Sequence, residues 1–173
     1  MADGVKLIDN SVKVKATLND TAIAWLYTWS NEIASQARRN CQMDGNVGVQ
    51  LRGSYRADVD ASAGEAKIGS PLESAYWEEY GTGSHADTAK NGGKPGRKDW
   101  WVYVKDQPPR DKESTHYQTQ AEAEAVAMSM RSQGFDAYAT NGRDPNYTLE
   151  KAFTSTKSKA IADMKEQLRE ELK

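Results

Sequence analysis

From Asn19 and Asp20, either of which can cap a helix, the apolar residues Ile23, Leu26, Ile33, Ala34 and Ala37 recur at three- and four-residue steps. Trp25 and Trp29 lie one turn apart beside that stripe. The spacing predicts an amphipathic helix of about six turns. It should end near Cys41, because Asp44, Gly45, Asn46 and Gly48 follow as turn formers. The period then changes. Leu51, Gly53, Tyr55, Ala57 and Val59 alternate with Arg52, Ser54, Arg56, Asp58 and Asp60, which predicts a half-buried strand. Ala61 to Gly64 reads as a turn and Glu65 to Ser70 as a returning strand, so 51–70 is expected to be a hairpin.

Beyond Pro71 come ten residues of unusual density, Ser74-Ala75-Tyr76-Trp77-Glu78-Glu79-Tyr80-Gly81-Thr82-Gly83. Three aromatics supply large rigid contact area, and the glycines permit positive φ or a close backbone approach. The stretch Ser84–Asp99 is opposite in character, with Lys90, Lys94, Arg97 and Lys98 among glycines and Pro95. It reads as a long mobile loop.

Trp100 to Val104 is then expected as a third strand, closed by Gln107-Pro108-Pro109. Thr119-Gln120-Ala121-Glu122 matches a capping box and opens a helix with Ala123, Val126, Ala127 and Met130 on one face and Gly134 as its stop. Phe135, Ala137 and Ala139 alternate with Asp136 and Tyr138 up to Asn141-Gly142, predicting a fourth strand. After Pro145 a last helix carries Leu149, Phe153, Thr156, Ala160, Met164, Leu168 and Leu172 along one side. The predicted class is α+β: a small antiparallel sheet of about four strands, with long N-terminal, middle and C-terminal helices packed on it.

Composition narrows the function classes. At 173 residues the chain is expected to form a single domain, 1–173. Hydrophobic residues make up 38% and charged ones 28%, a balance that suits a small core or a subunit completed by association. No apolar run approaches the roughly 20 residues of a spanning helix, and the start lacks a signal-peptide pattern, so the chain is expected in a cytosol with no membrane partner. One cysteine, Cys41, excludes an internal disulfide framework. A formal charge of −2 gives no general attraction to nucleic acid, so any phosphate contact has to be local.

Catalytic signatures are thin. His85 and His116 sit in polar stretches without ligands at metal spacing, and Gly93-Lys94 matches a phosphate loop for two residues only. Asp58 or Asp60 with Glu65 and Lys67 loosely matches the two-acid-and-lysine set of metal-dependent nucleases. Alternating charges on the wet face of a hairpin explain it equally well. The rival functional classes are a protein or nucleic-acid binding module using the basic loop, and a small metal-dependent nuclease.

At the aromatic segment the chain resembles the neck or minor tail component of long-tailed bacteriophages, the tail-completion family named for gene product ten of a lambdoid coliphage. Ala75, Trp77, Glu79, Tyr80, Gly81, Thr82 and Gly83 fill the family's alanine, aromatic, glutamate, aromatic and Gly-Thr-Gly places. Leu51, Arg52 and Ser54 match its Thr-Gly-x-Leu-Arg-x-Ser strand entry, with Gly48 and Val49 standing where threonine and glycine would be. Pro145, Leu149, Ala152 and Phe153 match its last helix, and the resemblance spans 18–172. The helix-strand unit inserted at 105–140 is similar to the form in phages of Gram-positive hosts.

The resemblance implies a structural virion protein without enzyme chemistry or cofactor. Its place is a ring, six-fold, at the head-tail joint, made in the host cytoplasm. The ring would complete the tail and let DNA pass between a head-completion or connector protein and a tail terminator or tube protein. Trp77, Glu79, Tyr80, Gly81, Thr82 and Gly83, with Arg52, Trp100 and Trp101, are the candidate interface. The alternative for the glycine bend is the domain's own core turn. Glu79 either pairs with Arg52 or faces water. Lys90, Lys94, Arg97 and Lys98 would touch a neighbouring ring or DNA in the channel, or form a solvated loop.

Overall fold

The computed structural model describes residues 11–93, 96, 98–105 and 116–172, with side chains from residue 19 onward. Lys94, Arg97 and the Gln107-Pro108-Pro109 stop lie outside the described residues. Five helices are joined by short strands: α1 (Ser11–Asn40), α2 (Gly45–Ser54), β1 (Arg56–Asp60), β2 (Glu65–Gly69), α3 (Glu73–Tyr80), β3 (Thr82–Gly83), β4 (Trp100–Val104), β5 (His116–Tyr117), α4 (Gln120–Ser132), β6 (Ala137–Thr140), β7 (Gly142–Arg143) and α5 (Thr148–Glu171). The class is α+β, as expected, with long N-terminal, middle and C-terminal helices.

The strands form three small antiparallel sheets: β1–β2, β3–β7 and β5–β4–β6. In the hairpin Ala57 faces Ile68 and Val59 faces Ala66. These half-buried residues alternate with exposed charges, and α1 packs on the pair. Helix α5 runs back along α1 in antiparallel fashion. Asn40 Nδ2 donates to the Thr148 carbonyl at one end, and Trp25 Nε1 donates to the Ala160 carbonyl farther along. Trp29 Nε1 donates to Asp163 at 2.7 Å, and Ala152, Thr156 and Ala160 form the buried stripe of α5. The main core is small and joins distant segments: Ile33, Ala37 and Cys41 of the first helix region meet Leu51, Tyr55, Ala75 and Ala152.

Four expectations are corrected. Helix α1 begins at Ser11, not at Asn19 or Asp20; between Gly4 and Gly45 no glycine or proline interrupts it, and a capping residue inside a helix does not by itself start one. Residues 45–54, read as a turn and the first half of a strand, are helical. Gly48 and Leu51 are buried one turn apart, and Gly48 has no side chain because a Cβ there would lie 1.8 Å from the Met43 carbonyl oxygen. The alternation is true only from Arg56. The aromatic segment is mostly helix α3, and only its glycine end is a turn. Phe153, expected on the inner side of α5, is 50% exposed; the inner stripe needs small residues where α5 lies close to α1.

The middle helix matches its prediction. Thr119 Oγ1 accepts from the Glu122 amide while Glu122 Oε2 accepts from the Thr119 amide, closing the capping box. Gly134, at φ 87°, ends the helix with its amide on Arg131 and the Phe135 amide on Met130. Helix α4 packs on β4 and β6, with Ala123, Ala127 and Ala137 fully buried between them.

Candidate functional site

Acidic residues in the last turn of a helix are locally unfavourable, because the carbonyl end of the helix carries partial negative charge. Glu78 and Glu79 both sit there, in α3, and both are buried, at 0% and 8% exposure. Each has a specific partner set at the start of α5. Glu78 Oε1 accepts from the Gln42 amide at 2.7 Å, from Asn146 Nδ2 at 2.8 Å and from Thr148 Oγ1 at 3.3 Å. Its Oε2 lies 2.9 Å from the Arg143 guanidinium. One carboxylate therefore ties together the segment after α1, strand β7 and the entry to α5.

Glu79 acts as a cap. The residue before α5, Tyr147, adopts φ 50° and ψ 47° and offers no side-chain cap of its own. Glu79 reaches across instead, its Oε2 and Oε1 accepting from the Leu149 and Glu150 amides at 2.7 and 3.0 Å. A carboxylate is the favoured group there, since the helix N-terminus carries free amides and partial positive charge. The main chain follows the same path, the Asn146 and Tyr147 amides donating to the Glu78 and Glu79 carbonyls. Asn146 completes the web, with Nδ2 also on the Asn40 carbonyl and Oδ1 accepting from Lys151 Nζ.

The glycine bend belongs to this joint. Gly81 ends α3 at φ 73°, its amide on the Trp77 carbonyl, and a Cβ there would lie 2.6 Å from the Arg143 carbonyl oxygen. Gly83, at φ 60°, would place a Cβ 1.9 Å from the Asn141 carbonyl oxygen. Between them Thr82 Oγ1 accepts from the Arg143 amide, and Thr82–Gly83 pairs with Gly142–Arg143. The bend thus makes an internal strand pair of the domain. Trp77 and Tyr80 stay half-buried. Tyr80 packs edge-on against Tyr76 with centroids 5.0 Å apart, and Tyr76 donates to the Asn91 carbonyl.

Other candidate residues are placed elsewhere. Arg52 donates to the Met43 carbonyl at 2.8 Å and does not pair with Glu79, because residues 51–54 are helical and turn it toward that loop. Trp100 and Trp101 lie in β4, opposite Tyr117 and His116. Lys90 is held by Glu150 at 2.6 Å and lies 4.5 Å from the centre of the Tyr147 ring, while Lys98 is exposed.

Residues 84–93 are a chain of hydrogen-bonded turns. The Asp87 amide donates to the Tyr80 carbonyl, and Asp87 Oδ1 accepts from the Ala89 and Lys90 amides. Tyr147 Oη donates to Asp87 Oδ2 at 2.7 Å, which holds the Asp87 carboxyl below the usual range and raises the phenol. His85 is bonded on both ring nitrogens, to Asp144 Oδ1 at 2.7 Å and Asn141 Oδ1 at 3.1 Å, and both bonds raise its pKa.

The residues of the nuclease set share the exposed face of the hairpin. Asp58 stands opposite Lys67 and Asp60 opposite Glu65, all exposed. Asp60 Oδ1 accepts from the Ser62 hydroxyl and the Ser62 and Ala63 amides, holding the hairpin turn and lowering its pKa. Among the described residues no cluster of three or more His, Cys, Asp or Glu side chains is arranged to hold a metal ion. None of their helices is long and apolar enough to cross a membrane. Burial pushes the Cys41 thiol and the Tyr55 phenol up.

Sequence reasoning missed Glu78, Arg143, Asn146 and Thr148. The available signal was the acidic pair itself: two adjacent glutamates closing an aromatic helix stand against the helix dipole and need tertiary partners. Comparison with protein-family models, curated proteins and solved structures finds no match.

Proposed function

We propose that this chain is a structural subunit of a tailed-phage neck, one copy of a ring at the head-tail joint. The observation that supports this reading is the convergence of the three separated stretches that carry the family resemblance. Leu51, Ala75 and Ala152 share one buried cluster with Leu149 against it. Glu79 caps the helix that contains Leu149, and Gly81 abuts Arg143 and Pro145. Ser54 closes on Ser70 at 2.6 Å, fastening the first stretch to the hairpin. Residues about a hundred positions apart thus form one mechanical unit, as a shared ancestral core would.

The surfaces left over suit association. Tyr27, Phe153 and Ile161 are exposed on α1 and α5, and the two-stranded hairpin leaves both its edges unpaired with other strands among the described residues. Head-to-tail contacts between unlike surfaces of identical copies close a ring. In this reading the half-exposed Trp77 and Tyr80 reach a neighbour while the glycine bend holds them, and the ring meets connector and tail proteins on its two faces. Lys98 is the described cation available to DNA in the channel.

Particles assembled under an amber mutation in this gene test the proposal by electron microscopy. Filled heads and finished tails that fail to join are expected, with joining restored when the protein is supplied. Normal joined virions in its absence would overturn the reading.

A further inference from the structure

The outer face of the β5–β4–β6 sheet has no part in the joint and has a distinctive chemistry. Strand alternation puts Val102 and Val104, opposite Ala139 and Ala137, on the side covered by α4. The other side carries Trp101 and Tyr103 of β4, Tyr138 of β6 and His116 of β5. Tyr103 and Tyr138 are 46% and 42% exposed, and their rings stack at 5.5 Å between centroids. Every aliphatic side chain of these strands faces α4, so this side is aromatic and polar only.

Carboxylates flank the aromatic row. Asp99 lies 3.0 Å from His116 Nδ1, and the exposed Asp136, two residues before Tyr138, raises the pKa of that phenol. Lys105, two residues beyond Tyr103, is the facing cation among the described residues, and the Arg131 guanidinium is held by Glu124 and the Ala137 carbonyl. Among the described residues, two acids against one lysine give a phosphate chain no counter-charge to follow. A ligand for this face must stack on aromatic rings and offer hydroxyl groups to carboxylates while carrying no charge.

We infer that the outer face of the β5–β4–β6 sheet binds a neutral oligosaccharide, with Trp101 and the Tyr103–Tyr138 pair against the C–H faces of successive sugar rings and Asp99 and Asp136 accepting from their hydroxyls. Strand geometry separates Trp101 and Tyr103 by about 7 Å along β4, the scale of neighbouring rings in a glycan. The inference is independent of the neck assignment.

Calorimetric titration of the full chain with chitohexaose, cellohexaose and maltohexaose tests it. At least one should bind with Kd below about 1 mM, equally well at low and high salt. Tyr138→Ala and Tyr103→Ala, which remove exposed rings and should leave the circular dichroism unchanged, should each weaken binding about tenfold or more. Absence of binding to all three sugars would overturn the inference. So would salt-sensitive binding of oligo-dT at this face, or self-association lost in Tyr138→Ala without sugar binding.

Discussion

The joint around Glu78 and the β4–β5–α4–β6 unit are built by opposite means. The β4–β5–α4–β6 unit is specified locally: a capping box starts α4, a glycine stops it, and alternating residues on β4 and β6 place alanines and valines beneath it. The joint is specified at a distance. Glu78, wholly buried, bonds to residues 36 positions before it and up to 70 after it, and the helix it helps to anchor has no cap of its own. A local code tolerates loss of one part, because each contributes about 1 kcal/mol. A buried charge network does not, since removing one member takes a bond from each of its partners at once.

The largest effect is expected at Glu78. Glu78→Ala removes the acceptor of the Gln42 amide and one partner each from Asn146, Thr148 and Arg143, and should cost about 3–5 kcal/mol in urea unfolding; a cost under about 1 kcal/mol would place the network's weight elsewhere. Gly83→Ala comes next, at about 3 kcal/mol, since it combines positive φ with a clash against the Asn141 carbonyl. Gly64→Ala shares a positive φ but has open space around it, so it should cost about 1 kcal/mol and isolates the clash. Glu79→Ala should cost about 1–2 kcal/mol and expose the Leu149 and Glu150 amides to exchange, with Glu79→Gln retaining part of the cap. Thr119→Ala should cost about 1 kcal/mol and act on the β4–β5–α4–β6 unit alone.

The smallest effect is pH-dependent. Hydrogen bonds from the His85 ring to Asp144, and then to Asn141, raise its pKa above the ordinary value. The protonated form is favoured by folding, so its stabilisation is complete below about pH 6.5 and is lost as pH rises through the higher folded value. Because His85 is exposed, the change in stability is slight, and the readout is the imidazole titration by NMR. Asp144→Asn should return that titration toward the ordinary value.

This contrast explains what the sequence made legible. The amphipathic period of α1, the capping box and Gly134 of α4, and the strand at Trp100–Val104 are local signals, and each appears in the structure. The stretch 45–54 misled because Leu51, Gly53 and Tyr55 continue the alternation of β1, while the close pass of Gly48 by the Met43 carbonyl is a backbone contact that no periodicity reports. Start residues also misled, since Asn19 and Asp20 lie within a helix that began earlier. At the candidate site the glycine bend was legible as a close-approach element, but its neighbour was not: no periodicity says that Gly81 and Gly83 meet residues 141–145. The pairing of Glu79 with the α5 amides was hidden for the same reason, and Arg52 was the nearer candidate in sequence.

Hydrogen exchange on Glu78→Ala and Thr119→Ala, read side by side, tests most directly that two independent codes hold the two regions. Glu78→Ala should lower protection in α3, β7 and the first turns of α5 while α4 and β6 keep theirs, and Thr119→Ala should do the reverse. Equal loss across both regions in either variant would contradict the account.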